Sequence, residues 1–176
     1  MLRATISLLL ATACSGRKEP APVLRHAHAV PLATLLTKLQ TSVPDYSVGS
    51  DGVTGKLPVH GVMIFQGYIG HHTFITVDAD ASTLRVWSIE WGSSPVRRDS
   101  SRALAPGELS KLLELANAAW REDPVGPMLT VPDIVEELFV VDGDEGFYLA
   151  GEPIRDSGRP AAARAVDALF SAAVPP

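Results

Sequence analysis

Residues 62–91 read VMIFQGYIGHHTFITVDADASTLRVWSIEW. Three runs stand out: VMIFQGYI (62–69), HTFITVDA (72–79) and TLRVWSIEW (83–91), each rich in β-branched, aromatic or other apolar residues. Gly70-His71 and DADAS (78–82) carry turn chemistry between them. Strands this close in sequence pair most economically as an antiparallel meander. In the third run Arg85, Trp87, Ile89 and Trp91 fall on one face, and Val86, Ser88 and Glu90 on the other. The tryptophan face is expected against helices and the Ser/Glu face in water.

Working outward, WGSSPVRRDSSR (91–102) reads as a polar loop. In APGELSKLLELANAAWRE, Pro106 suits a first helical turn and Glu108 favours the positive end of the helix. Leu109, Leu112, Leu113, Ala116, Ala119 and Trp120 make an apolar stripe, and Pro124 stops it. In ELFVVDGDEGFYLAGE, apolar runs flank Asp142-Gly143-Asp144-Glu145-Gly146, a hairpin signal. GRPAAARAVDALFSAAV predicts a last helix with Val166, Leu169, Phe170 and Ala173 on one face. Upstream, Leu32, Leu35, Leu36 and Leu39 predict a short helix over 32–41, and the Gly/Pro/Ser-rich stretch after it predicts loop. Strands arrive in hairpins rather than singly between helices. The class is therefore α+β, a mostly antiparallel sheet of about five strands with two or three helices packed on one face. Residues 32–176 form a single domain.

The chain has 176 residues, enough apolar content for a real core, and a formal charge of −5. An acidic balance argues against nucleic-acid binding, which needs a basic face, and against electrostatic docking on anionic lipid.

The N-terminus reads MLRATISLLLATACSGRKEP. Arg3 precedes the apolar run Ala4–Ala13, which is too short to span a bilayer but fits a signal-peptide core. Small residues then lead into Cys14, the only cysteine in the chain. This stretch resembles the bacterial lipobox. The resemblance implies cleavage after residue 13, lipidation of Cys14 and attachment to the cell envelope; Ser15, being non-acidic, implies the outer membrane before the inner. Residues 14–31 then form the lipidated N-terminus and a flexible tether, SGRKEPAPVLRHAHAVP (15–31), with a reach of at most ~50 Å at about 3.3 Å per residue. Two or more acyl chains give stable anchoring. Nothing in residues 17–176 carries the signature of a functional family.

Catalytic motifs are sparse. Ser15-Gly16-Arg17-Lys18 matches S-x-x-K, but in a tether and without the companion motifs. The histidines are His26, His28, His60, His71 and His72; with no H-E-x-x-H and no second cysteine, no metal is expected. Asp142-Gly143-Asp144-Glu145-Gly146 places glycine where a calcium loop needs a ligand, and reads as a turn, as do Asp78 and Asp80. No P-loop, G-x-G-x-x-G or G-x-S-x-G occurs. Glu90, with Trp87 and Trp91, is the best candidate for a binding patch. The expectation is a membrane-anchored envelope lipoprotein with a non-catalytic binding or structural domain. Its partners are the membrane, through Cys14, and an envelope protein or polymer, without cofactor, nucleic acid or catalytic residue. The alternatives are a small envelope hydrolase lacking a recognisable motif, or a soluble protein with a misassigned start.

Overall fold

A computed structural model describes residues 29–42, 57–90, 93–94, 96–122, 134–151, 154–156 and 158–174. The elements are β1 (Val30–Pro31), α1 (Leu32–Ser42), β2 (His60–Tyr68), β3 (His71–Asp78), β4 (Thr83–Glu90), β5 (Val96–Ala103), α2 (Pro106–Arg121), β6 (Ile134–Asp142), β7 (Glu145–Gly151) and α3 (Pro160–Ala173). A short 3-10 turn, Ile154–Asp156, precedes α3. The strands form one antiparallel sheet in the order β1-β7-β6-β2-β3-β4-β5. The class is α+β with an antiparallel sheet, of seven strands rather than five. The meander over β2, β3 and β4 is present. Residues 142–146 close the β6–β7 hairpin, with Gly143 at φ +67°, a conformation costly for a residue bearing a Cβ.

The two additional strands lie in stretches read as tether and polar loop. Val30–Pro31 pairs with Gly146 and Glu145. VRRDSSRA (96–103) pairs along the whole of β4. It has no apolar alternation because it is an edge strand, exposed over most of its length. Charged side chains on such an edge deter further pairing. They also tie it inward. Arg85 Nε and Nη2 donate to the Asp99 carboxylate at 2.8 and 2.5 Å. Arg102 reaches Glu108 at the start of α2 and donates to the carbonyl of Ala172 in α3 at 2.8 Å.

Both faces of the sheet are covered. On one, Val62, Ile64, Ile75, Val77, Leu84, Leu138, Val140, Phe147 and Leu149 pack with Leu112, Ala116, Ala119 and Trp120 of α2 and Ala162, Ala165, Val166 and Leu169 of α3. Alanines on α3 let the helices approach each other closely. On the other face Met63, Phe65, Phe74, Trp87, Ile89, Phe139 and Val141 join Leu35 and Leu39 of α1. Trp87 therefore packs, as expected, on a helical face, that of α1, and helices lie on both faces of the sheet rather than on one because each face carries its own apolar set. The neighbour of Trp87 is Phe74, with ring centroids 5.4 Å apart. The face bearing Leu84 and Val86 meets α2 and α3, and Ser88 on it is half-buried rather than wet. Gly146 sets the seat of α1, because a Cβ there would collide with the Val140 carbonyl and with Leu35 Cδ1.

Candidate functional site

β7 lies next to the sheet's edge, yet β1 covers only its first two residues. The Leu32 amide donates to the Asp144 carbonyl at 2.9 Å, so the backbone groups of alternate residues from 144 onward point away from β6. Tyr148 and Ala150 follow in that series, and on their other side the strand pairs them with Phe139 and Glu137 of β6.

A groove of about 260 Å³ runs beside this edge, lined by Val30, Thr34, Lys38, Glu122, Phe147, Tyr148, Leu149 and Arg159. It straddles the strand. Phe147 and Leu149 lie on its α2/α3 side, and Tyr148 on the α1 side. Lys38 Nζ sits 5.9 Å from the Tyr148 ring centre, an ammonium–π contact. The Tyr148 hydroxyl donates to Glu137 Oε1 at 3.0 Å, which fixes the ring. Glu137 is a buried carboxylate in the middle of β6.

Two charged groups close the α3 side. Glu122, just past α2, accepts from the amides of Ala161 and Ala162 at 3.0 and 3.1 Å. It thereby caps α3, whose own preceding residue provides no side-chain cap. Its charge is spent on that helix's positive end. Arg159 is different. It is only 6 % exposed, and its Nε–H has no acceptor among the described residues. A buried guanidinium donor without an acceptor is rare and costly.

The neighbouring acid, Glu136, has a structural task. It is 1 % exposed on the α2/α3 side and accepts from Gln66 Nε2 and the Ile154 amide, both at 2.7 Å. A smaller cavity of about 200 Å³ lies between β4, β5 and the end of α3, and there the Arg102 guanidinium is engaged by Glu108 and Ala172.

Of the residues singled out from sequence, Cys14, His26, His28 and Trp91 lie outside the described residues. Trp87 is buried, and Glu90 is exposed on the opposite face of β4, so the strand separates the two. His71 belongs to β3 rather than to a turn, and His72 lies in that strand as its β-rich run implies. His71 Nε2 bonds Thr73 Oγ1 at 2.8 Å, and the ring stacks on Tyr68. His72 meets Phe65 edge-on. At the other end of the sheet His60 joins two turns, its Nδ1 bonding Asp80 at 2.9 Å and its Nε2 lying 3.9 Å from Asp142. The Asp80 hydrogen bond raises the imidazole pKa above its usual 6.5; desolvation opposes it, and the charges of Asp80, Asp142 and Asp78 add to the rise. Among the described residues no cluster of three or more His, Cys, Asp or Glu could hold a metal ion.

Sequence reading missed Lys38, Tyr148, Glu137 and Arg159. The clearest available signal was Glu136-Glu137 heading the apolar run LFVV: paired acids at the start of a buried strand need dedicated partners. The chain matches no known family model and no curated protein.

Proposed function

We propose that this chain is a bacterial envelope lipoprotein, held to a membrane by lipid on Cys14 and carrying a non-catalytic binding domain. The observation that carries the anchor is the passage from the apolar run 4–13 through small residues into Cys14, followed at once by the polar, proline-bearing SGRKEPAP. No described helix is long and apolar enough to cross a membrane. Binding is favoured over catalysis by how three acids are used. Glu122 caps α3, Glu136 holds Gln66 and Ile154, and Glu137 orients Tyr148. Each carboxylate has a structural partner, while the buried Nε–H of Arg159 at the groove has no acceptor among the described residues. Sorting to the outer membrane follows from Ser15.

The test is the intact mass of the N-terminal peptide from membrane fractions of wild type and Cys14→Ser. A peptide that begins at an acylated Cys14, and is lost with the substitution, is the expected result. An unmodified peptide beginning at Met1 in the soluble fraction would overturn the anchor.

A further inference from the structure

We infer that the groove beside β7 binds a small organic monocarboxylate, whose carboxylate pairs with the Arg159 guanidinium while its apolar body lies against Val30, Phe147 and Leu149. The inference rests on the binding reading above and is independent of the lipid anchor.

Arg159 supplies the first argument. It lines the groove, is only 6 % exposed, and keeps an Nε–H with no acceptor among the described residues. Burying a guanidinium is costly unless an anion answers it. The main chain holds the residue in place, since its carbonyl accepts from the Ala163 amide at 2.9 Å and Pro160 opens α3 directly after it. The cation therefore stands at a set position on the wall of a cavity. A carboxylate suits it geometrically, because its two oxygens match two parallel N–H groups in one plane.

The acids nearby are committed elsewhere. Glu122 lines the same groove, but its two oxygens accept from the amides of Ala161 and Ala162 at 3.0 and 3.1 Å. Glu136, buried on the α2/α3 side of the sheet, holds Gln66 and the Ile154 amide. Lys38 is exposed, so water solvates its charge. One buried cation with an unanswered donor calls for one anionic group. A second carboxylate on the ligand would meet the negative charge of Glu122.

Size and lining define the rest of the ligand. The groove holds about 260 Å³, just under the roughly 300–1,000 Å³ of common ligand pockets, so the occupant is small. Away from Arg159 the walls include Val30, Phe147, Leu149 and the Tyr148 ring. An apolar body covers these walls and gains from leaving water. Inorganic phosphate would leave them unused, and an uncharged apolar molecule would leave the guanidinium unanswered.

The probes are hexanoate and benzoate, titrated into the full chain carrying Cys14→Ser. Hexanamide, benzamide, acetate and inorganic phosphate are the comparisons. Calorimetry reads affinity. NMR reads the contact at the Arg159 Nε–H resonance, assigned by its absence in Arg159→Lys, and at the methyl groups of Val30 and Leu149. At least one of the two acids should bind about tenfold or more tightly than its own amide, outdo acetate and phosphate, and shift all three sets of resonances. Arg159→Met should lose at least that factor while its urea midpoint shows it folded. Arg159→Lys, which keeps the charge but not the planar pair of donors, should also bind more weakly. Arg98→Gln, on the far edge of the sheet, should bind as wild type does. The inference is overturned if neither acid binds at millimolar concentration, if acid and amide bind equally, or if phosphate binds best. An Nε–H resonance that stays still at saturation overturns it as well. None of these failures bears on Cys14, which the mass measurement reads separately. A domain that binds neither acid but holds an envelope protein would keep the broader binding reading and lose only this ligand.

Discussion

Replacing Arg159 by methionine should make the protein more stable. Arginine at this position is only 6 % exposed, and its Nε–H finds no acceptor among the described residues. A buried donor left without a partner costs about 1–3 kcal/mol. Methionine keeps an unbranched apolar stem of similar reach, fills irregular space and removes the donor. The two side chains lose comparable rotamer freedom on burial. The backbone role of residue 159 survives the change, because its carbonyl accepts from the Ala163 amide at 2.9 Å whatever the side chain. The expected gain is about 1–2 kcal/mol, toward the lower part of that range because methionine also forfeits some packing by the guanidinium. For a domain of this size each kcal/mol moves Tm by roughly 2–4 °C. Urea denaturation followed by tryptophan fluorescence measures it directly, and the midpoint should rise while the m-value stays constant. Arg159→Lys is the control: it keeps a buried cation and should show no gain. A midpoint that falls, or fails to move, in Arg159→Met would refute the reasoning. It would mean that the guanidinium already has a structural partner and is not held in reserve for a ligand. The trade of stability for a poised charge is a familiar property of binding sites.

Further outcomes follow from other contacts. Glu136→Ala leaves Gln66 Nε2 and the Ile154 amide without their buried acceptor, and should cost about 2–4 kcal/mol in urea unfolding, whereas Glu136→Gln, which keeps one acceptor oxygen, should cost markedly less. Gly146→Ala forces a Cβ against the Val140 carbonyl and Leu35; a loss of roughly 1–3 kcal/mol is expected from overpacking, and an unchanged midpoint would show that α1 is free to shift. His60 has a raised pKa in the folded state, so its contribution is fully present below its usual 6.5 and is lost as pH rises through the folded value. The stability difference between wild type and His60→Gln should shrink across that rise, and a difference flat from pH 5.5 to 9 would count against the Asp80 pairing. Asp99 and Glu108 have lowered pKa values, through hydrogen bonds from Arg85 and Arg102 respectively. Their contributions are present above the usual carboxylate range and are lost as pH falls through the depressed values, so Glu108→Gln should flatten part of the acid-side decline in stability.

What the sequence revealed and what it hid divide along physical lines. β2, β3 and α2 announce themselves because their own apolar pattern is the reason they form: VMIFQGY and TFITV are buried strands, and the Leu112–Trp120 stripe is the seat of α2. β5 could not be read this way. Its pairing depends on the neighbouring β4 backbone and on Arg85 and Arg102, while VRRDSSRA alone carries only charge and serine. Alternation along β4 correctly separates Trp87 from Ser88, but alternation does not say which face the later helices choose. Here helices lie on both faces, with α1 on Trp87's side and α2 and α3 on the other. The groove was hidden for a related reason. Lys38, Glu122, Tyr148 and Arg159 come from four separate places in the chain and meet only because β7 is seated between α1 and the start of α3. Nothing in their local sequence distinguishes them from ordinary surface residues.

The pairing of β2 with β6 also governs when this protein can fold. These two central strands match over nine positions, from His60 with Asp142 to Tyr68 with Ile134. Even the nearest of those partners are 66 positions apart in the chain. A growing polypeptide can form the β2–β5 meander early, but β2 keeps one long apolar edge bare until β6 has emerged. Pairings of such high sequence separation form slowly, since the loop must be closed before any contact rewards it. The centre of the sheet therefore cannot lock until the stretch ending at Asp142 is available to pair with β2.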